Sequence, residues 1–294
     1  MTKPRPLPRL DPALTPGHVE LTVGDLARSL AFYREVLGLR PLTLGEGTAS
    51  LGVGGRVLLT LREVPGARPA PASSPGLYHL ALLVPTRADL ARFVRHVAGR
   101  GVRLGQSDHL VSEAFYLQDP DGHGIEVYRD RPRHEWTWDG GEVRMGGDLI
   151  DLAGLLAEAG VPTPWAGLPE GTTLGHLHLR VSDLTAAEAF YEDALGFDVV
   201  SRWPGALFLS VGGYHHHIGL NTWQSRGGSA APEGSARLER VVFHLPHSGA
   251  LGDLAERFRL SGVSITQSPF IRSAQSVGIL EVRDPFGILL AFTA

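Results

Sequence analysis

Residues 17–38, GHVELTVGDLARSLAFYREVLG, recur as residues 175–196, GHLHLRVSDLTAAEAFYEDALG, with no gap. The offset of 158 pairs His18 with His176, Asp25 with Asp183, Tyr33 with Tyr191 and Gly38 with Gly196. A repeat this widely spaced means a duplicated folding unit rather than a solenoid, so both copies must take one shape. Apolar residues alternate through 177–181 while His176, His178 and Arg180 take the opposite face, the period of a half-buried strand. Asp183 then stands at a helix N-cap, and Phe190, Tyr191 and Leu195 form an apolar stripe that stops at Gly196.

The rest of the chain divides around this unit. A proline-rich arm, 1–16, precedes a strand at 18–23, a helix from Asp25 to Leu37, and strands at 40–44, 48–53 and 56–62, with Gly54-Gly55 as a two-residue hairpin turn. A second unit has a strand at 78–84, a helix over 88–98 and a closing hairpin about the turn Asp119-Pro120-Asp121-Gly122. The third repeats the first, with later strands at 199–203, 206–211 and 215–222. The fourth has a strand at 240–245, a helix at 251–260 and the turn Asp284-Pro285-Phe286-Gly287, 165 residues after its counterpart. The expectation is an α+β fold of four βαβββ modules whose curved mixed sheets form half-open barrels. Its divisions are an arm at 1–16, a module pair at 17–135, a connector at 136–171 and a second pair at 172–294. In the connector, a short helix capped by Asp148 carries Leu149, Leu152, Leu155 and Leu156.

Composition narrows the chemistry. A formal charge of −4 without a basic tract gives no reason to expect nucleic acid. The absence of cysteine excludes disulfides, thiolate metal sites and cysteine nucleophiles. No apolar run reaches membrane-spanning length and the arm has no signal-peptide core, so a cytoplasmic location is expected; a homo-oligomer is allowed.

Polar residues project from equivalent strands of the modules. The second supplies His79 and Glu126, the third His176 and the run His215-His216-His217, and the first only His18. The fourth places Arg240 and Ala291 where histidine and glutamate would stand. Two imidazoles and a carboxylate on rigid strands form the facial triad that leaves positions open on Fe(II), and they also suit Mn²⁺ or Zn²⁺. Any one of these residues taken alone is more often a solvated or satisfied strand residue. Their recurrence at matching points of a duplicated unit is what raises the metal reading.

Residues 108–133, DHLVSEAFYLQDPDGHGIEVYRDRPR, together with GHLHLRVSDL and GGYHHHIGLNTW, resemble the vicinal-oxygen-chelate superfamily. Within it they are similar to the catechol 2,3-dioxygenase branch of extradiol ring-cleaving enzymes. The resemblance implies a non-haem Fe(II) enzyme that opens catechol or a substituted catechol with O₂ to a muconic semialdehyde. It implies His79, Glu126 and His176 as metal ligands and His216 as acid–base histidine. Tyr116, ten residues before Glu126, would stand beside the substrate, and His109 would be a further histidine there, two residues nearer the tyrosine than the family pattern has it. In better-known relatives consecutive modules cooperate. Here pairing the first two gives His18, His79 and Glu126 but no acid–base histidine, whereas pairing the second with the third gives the entire set and is preferred. A glyoxalase-like isomerase or lyase using a fourth ligand, and a metal-free binding protein, are the alternatives.

Overall fold

The structure, a computed structural model, describes residues 7, 9–161, 164–272 and 275–294; part of the expected arm, 1–6 and 8, lies outside them. The first module comprises β1 (Thr15–Val23), α1 (Leu26–Phe32), β2 (Arg40–Gly45), β3 (Thr48–Val53) and β4 (Arg56–Glu63). The second comprises β5 (Gly76–Leu83), α2 (Arg87–Gly99), β6 (Gly105–Asp108), β7 (Ser112–Gln118) and β8 (Gly124–Asp130). A small ribbon, β9 (Trp138–Asp139) and β10 (Glu142–Val143), and α3 (Leu152–Glu158) follow. The third module has β11 (Thr173–Arg180), α4 (Leu184–Glu188), β12 (Asp198–Trp203), β13 (Ala206–Ser210) and β14 (Ile218–Asn221). The fourth has β15 (Leu238–His244), α5 (Ser248–Leu260), β16 (Thr266–Arg272), β17 (Gln275–Arg283) and β18 (Leu289–Thr293).

Two curled eight-stranded sheets result, each drawing strands from both halves of the chain. One runs β16-β17-β18-β15-β1-β4-β3-β2, the other β12-β13-β14-β11-β5-β8-β7-β6. The first module therefore joins the fourth, and the second joins the third. Helices cover the outer faces; α2 buries Leu90, Phe93, Val94 and Val97 in a core that includes residues of both sheets.

Local chemistry explains most of these elements. Asp25 and Asp183 accept backbone N–H groups from Arg28 and Ala186, capping α1 and α4 as the sequence predicts. Each helix then widens into a π turn, Tyr33–Leu37 and Ala189–Ala194, in place of the uniform α-helix expected. These turns hold Tyr33 and Tyr191, whose hydroxyls donate to Asp119 Oδ2 at 2.9 Å and Asp284 Oδ2 at 3.0 Å. Gly54 and Gly55 take φ of 56° and 80°, the left-handed pair that a type I′ hairpin between β3 and β4 requires.

The connector helix begins later than expected. Asp148 exchanges backbone hydrogen bonds with Asp108 in an isolated bridge, so it cannot cap a helix, and Asp151 caps Gly154 instead. Leu149 is correspondingly outside the stripe, 81% exposed. The expected strand at 215–222 is also shorter: β14 begins at Ile218, and the three histidines precede it. Gly212 and Gly213, with φ of 62° and 66°, turn the chain after β13, and the histidines fall in this turn before β14 begins.

Candidate metal centre

The pairing of β11 with β5 is the origin of the site. Two bulges interrupt it: Leu174 pairs with Leu82 but His176 with Ala81, and His178 pairs with His79 but Leu179 with Leu77. Gly175 and Tyr78 are the extra residues, and bulges of this kind re-aim neighbouring side chains. At the first, a Cβ on Gly175 would lie 1.8 Å from the Tyr128 hydroxyl, so only glycine lets that ring approach. At the second, Tyr78 and His79 both face the concave side, with ring centroids 5.4 Å apart. Parallel β8 brings Glu126 opposite Ala81.

Ligand atoms of His79, Glu126 and His176 all lie within 4.8 Å of one another, and the three side chains are buried. Glu126 Oε2 is 3.0 Å from His79 Nε2 and 3.2 Å from His176 Nε2. The His79 approach lacks hydrogen-bond alignment, and His79 Nε2, Glu126 Oε1 and His176 Nδ1 are buried without hydrogen-bond partners. Such orphaned groups are costly unless something completes them. Burial disfavours charge on Glu126, but His176 and His79 more than offset it and hold its carboxyl well below the usual range. Burial brings His176 down to about 4 despite Glu126, so its imidazole is neutral and offers a lone pair. A carboxylate and two imidazoles with unsatisfied atoms fit a divalent cation.

Around this centre the hydrogen bonds fix tautomers. Asp130 Oδ1 accepts from His215 Nε2 at 2.8 Å, which leaves His215 Nδ1 to accept from His216 Nδ1 at 2.9 Å. His216 Nε2 then carries a lone pair and makes no hydrogen bond among the described residues; its ring centroid lies 4.1 Å from that of His176, the two rings tilted by 53°. Burial, followed by the nearby His176, holds His216 well below the usual histidine range. On the other flank the carbonyl of Gly146 accepts from His109 Nδ1 at 2.7 Å, so His109 Nε2 accepts the Tyr116 hydroxyl at 2.7 Å. Leu110, at φ 67°, gives the turn that presents His109. Tyr116 lies against His79, ring centroids 5.5 Å apart, and burial raises its pKa well above 10.

All six residues singled out from the sequence line one cavity of about 690 Å³. A larger depression, about 960 Å³ between α2 and residues 164–170, holds no comparable cluster. His18 lies in the other sheet, opposite Val242 of β15 and 3.6 Å from Glu20. Of the histidine run, His216 alone lines the cavity; His215 stands behind it, and His217 Nδ1 lies 3.1 Å from Ser210 Oγ. Sequence reasoning overlooked His178 as a site residue. It is buried with its ring 5.0 Å from that of His79 and its Nε2 3.0 Å from Asn221 Nδ2. Its place on the face of His176 was the available signal.

Comparisons with known proteins bear on the family and the fold. The sequence model of the Glyoxalase/Bleomycin resistance protein/Dioxygenase superfamily matches residues 15–127 and 173–292. A catechol-2,3-dioxygenase of Bacillus subtilis (strain 168) is 45% identical over 257 residues, covering 86% of this chain and 90% of the relative. Among solved structures, a putative dioxygenase from B. subtilis superposes with a TM-score of 0.64 at 16% identity, covering 95% of this chain and 84% of that one. Glyoxalase I from Zea mays gives 0.58 at 18% identity, covering 96% and 92%. At these identities the two structures speak for the fold alone.

Proposed function

Because the chain belongs to the glyoxalase/bleomycin resistance protein/dioxygenase superfamily, we propose that it is an extradiol dioxygenase that opens the ring of catechol or a substituted catechol with O₂. The observation that carries this reading is the buried triad His79, Glu126 and His176, with its unsatisfied ligand atoms facing a cavity of a size to take one aromatic ring. Fe(II) is the metal the reading assigns, and Mn²⁺ or Zn²⁺ would fit the same donors. Bound there, it would supply Lewis acidity toward the diol and a path for electrons from the diol to O₂.

The chain's own residues take the remaining work. His216 presents its Nε2 lone pair to the cavity and is held in that tautomer by His215 and Asp130, so it is placed to accept a diol proton. Tyr116 donates to His109, so its oxygen faces the cavity first as an acceptor; it becomes a donor only if that hydrogen bond swings to the substrate. Phe208, Trp203 and Trp223 give the cavity an apolar wall against which the reacting ring would lie.

A glyoxalase-like reaction would call for a fourth protein ligand. Among the described residues only three ligand atoms cluster, which favours open positions for substrate and O₂. The test is to load the protein anaerobically with Fe(II), add catechol and admit air. One O₂ consumed per catechol and a yellow ring-fission product are expected. Stoichiometric iron with no oxygen uptake on any catechol would refute the assignment.

A further inference from the structure

The cavity extends beyond the triad along β11. His176, His178 and Arg180 share a face, and four residues of strand carry the wall about 13 Å onward. Tyr78, His178 and Trp223 form its intermediate section, each ring within 5.5 Å of the other two. These three rings pack edge to face and pave the wall between the metal ligands and Arg180.

Arg180 pairs with Gly76 at the start of β5, Gln118 pairs with Gly124 at the start of β8, and Gly105 at the start of β6 pairs with Tyr116. The end of β11 and the start of β6 thus lie at one end of the sheet. Arg103, two residues before β6, lines the cavity there with Arg180. Arg180 Nε donates to the Ser74 carbonyl at 3.2 Å. Neither guanidinium has a carboxylate partner among the described residues.

Nearby arginines of α2, of β8 and just after β8 differ. Arg87 and Arg129 converge on Glu113, and Arg131 pairs with Asp108. Among the described residues of the cavity wall the only carboxylate is Glu126, and it lies against the histidines. Arg180 is moreover largely withdrawn from water, and burial draws its pKa down. A guanidinium left so, in a cavity with no counter-charge at that end, is a receptor for a planar anion.

We propose that Arg180, assisted by Arg103 at the mouth, binds a carboxylate on a short side chain of the diol, so that the preferred substrates are catechols with an anionic substituent; this rests on the ring-cleaving reading above. The diol end is fixed at the triad, the substituent lies along the wall paved by Tyr78, His178 and Trp223, and the carboxylate meets the guanidinium. A charged hydrogen bond of this kind corresponds to a preference on the order of ten- to a hundredfold.

The experiment compares kcat/KM of the Fe(II)-loaded protein for 3-(3,4-dihydroxyphenyl)propanoate and for neutral 4-propylcatechol. Anaerobic calorimetry of the Zn²⁺-loaded protein gives the Kd of each as a readout independent of turnover. The acid should be preferred in both. Arg180→Gln should bring the ratio close to one, Arg180→Lys should keep part of it, and Arg180→Glu should turn the preference toward 4-(2-aminoethyl)catechol. Circular dichroism checks that each variant folds, and the wild-type ratio stands without them. No preference for the acid in the wild type, or an undiminished one in Arg180→Gln, overturns the inference while leaving catechol cleavage intact. Preferential binding of the acid by a protein that cleaves no diol would support this subsite and overturn the reaction.

Discussion

The two sheets are the same construction with different contents. In the site-bearing sheet His176 stands opposite Ala81, His178 opposite His79, and Tyr116 and Ala81 flank Glu126. In the other, His18 stands opposite Val242, Glu20 opposite Arg240, and Glu281 and Val242 flank Ala291. Position by position, His79 becomes Arg240, Glu126 becomes Ala291, Tyr116 becomes Glu281 and His178 becomes Glu20. The Arg240 guanidinium reaches Glu20 at 2.6 Å and Glu281 at 2.7 Å. One concave face thus collects the ligands proposed for an exchangeable cation, and the other carries a cation of its own, covalently attached and already neutralised. Duplication preserved the geometry, and these four differences of residue type set the proposed metal-holding face apart from the other.

The strongest way to break this comparison is to remove matched residues. His176→Ala should release the metal and abolish activity, with affinity falling more than about a hundredfold, whereas His18→Ala should be nearly silent. Glu126→Ala should act like His176→Ala. Metal analysis after gel filtration reads both, and iron lost from the His18 variant instead would mean that the wrong sheet has been assigned. Next in size, His216→Ala should keep its iron while turnover drops by about two to four powers of ten, since the residue faces substrate rather than metal. β4, the counterpart strand of the other sheet, has no histidine to lose.

A subtler contrast separates the matching aspartates. Burial drives the Asp119 carboxyl upward, but His123, 2.8 Å away, more than offsets this and holds it below 3.8. Asp284 has Ile288 at that place, and burial raises it to about 6. A carboxyl depressed in the fold stabilises it above its unfolded pKa and loses that contribution as pH falls. A raised one stabilises fully below 3.8 and has lost its contribution once pH passes about 6. Asp284→Asn should therefore gain up to about 3 kcal/mol at pH 7.5 and nothing near pH 4. Asp119→Asn should lose stability at pH 7.5. Urea titrations at the two pH values check both signs. The smallest effect is expected from Arg240→Met, which leaves Glu20 and Glu281 facing each other. Its partly exposed ion pairs suggest a loss of about 2 kcal/mol with metal binding at the other sheet unaffected.

Much of this site was legible from alternation. His176, His178 and Arg180 fall on one strand face by period alone, and the spacing from Tyr116 to Glu126 survives because β7 and β8 form a hairpin that pairs the two directly. What alternation cannot carry is partner choice. His18 and His176 occupy identical places in duplicated strands, and only the strand alongside, β15 or β5, distinguishes them. Backbone irregularity was equally hidden. The bulge at Tyr78, the positive φ of Leu110 and the turn that holds His215, His216 and His217 depend on tertiary contacts that no local period records. Asp148 looked like a helix cap because its competing partner, Asp108, is 40 residues away.

The crossed pairing of modules also sets an order of assembly. Every strand of the site-bearing sheet falls between residues 76 and 221, whereas the other sheet needs strands from 15–63 and 238–293. One sheet is therefore nested inside the other along the chain. Closing the outer sheet joins β1 to β15 across more than 200 residues, a long loop whose closure slows folding more than it costs stability. During synthesis from the N-terminus, the metal ligands and their neighbours can be complete before the last module has emerged, while β1 waits unpaired on one edge for a strand not yet made.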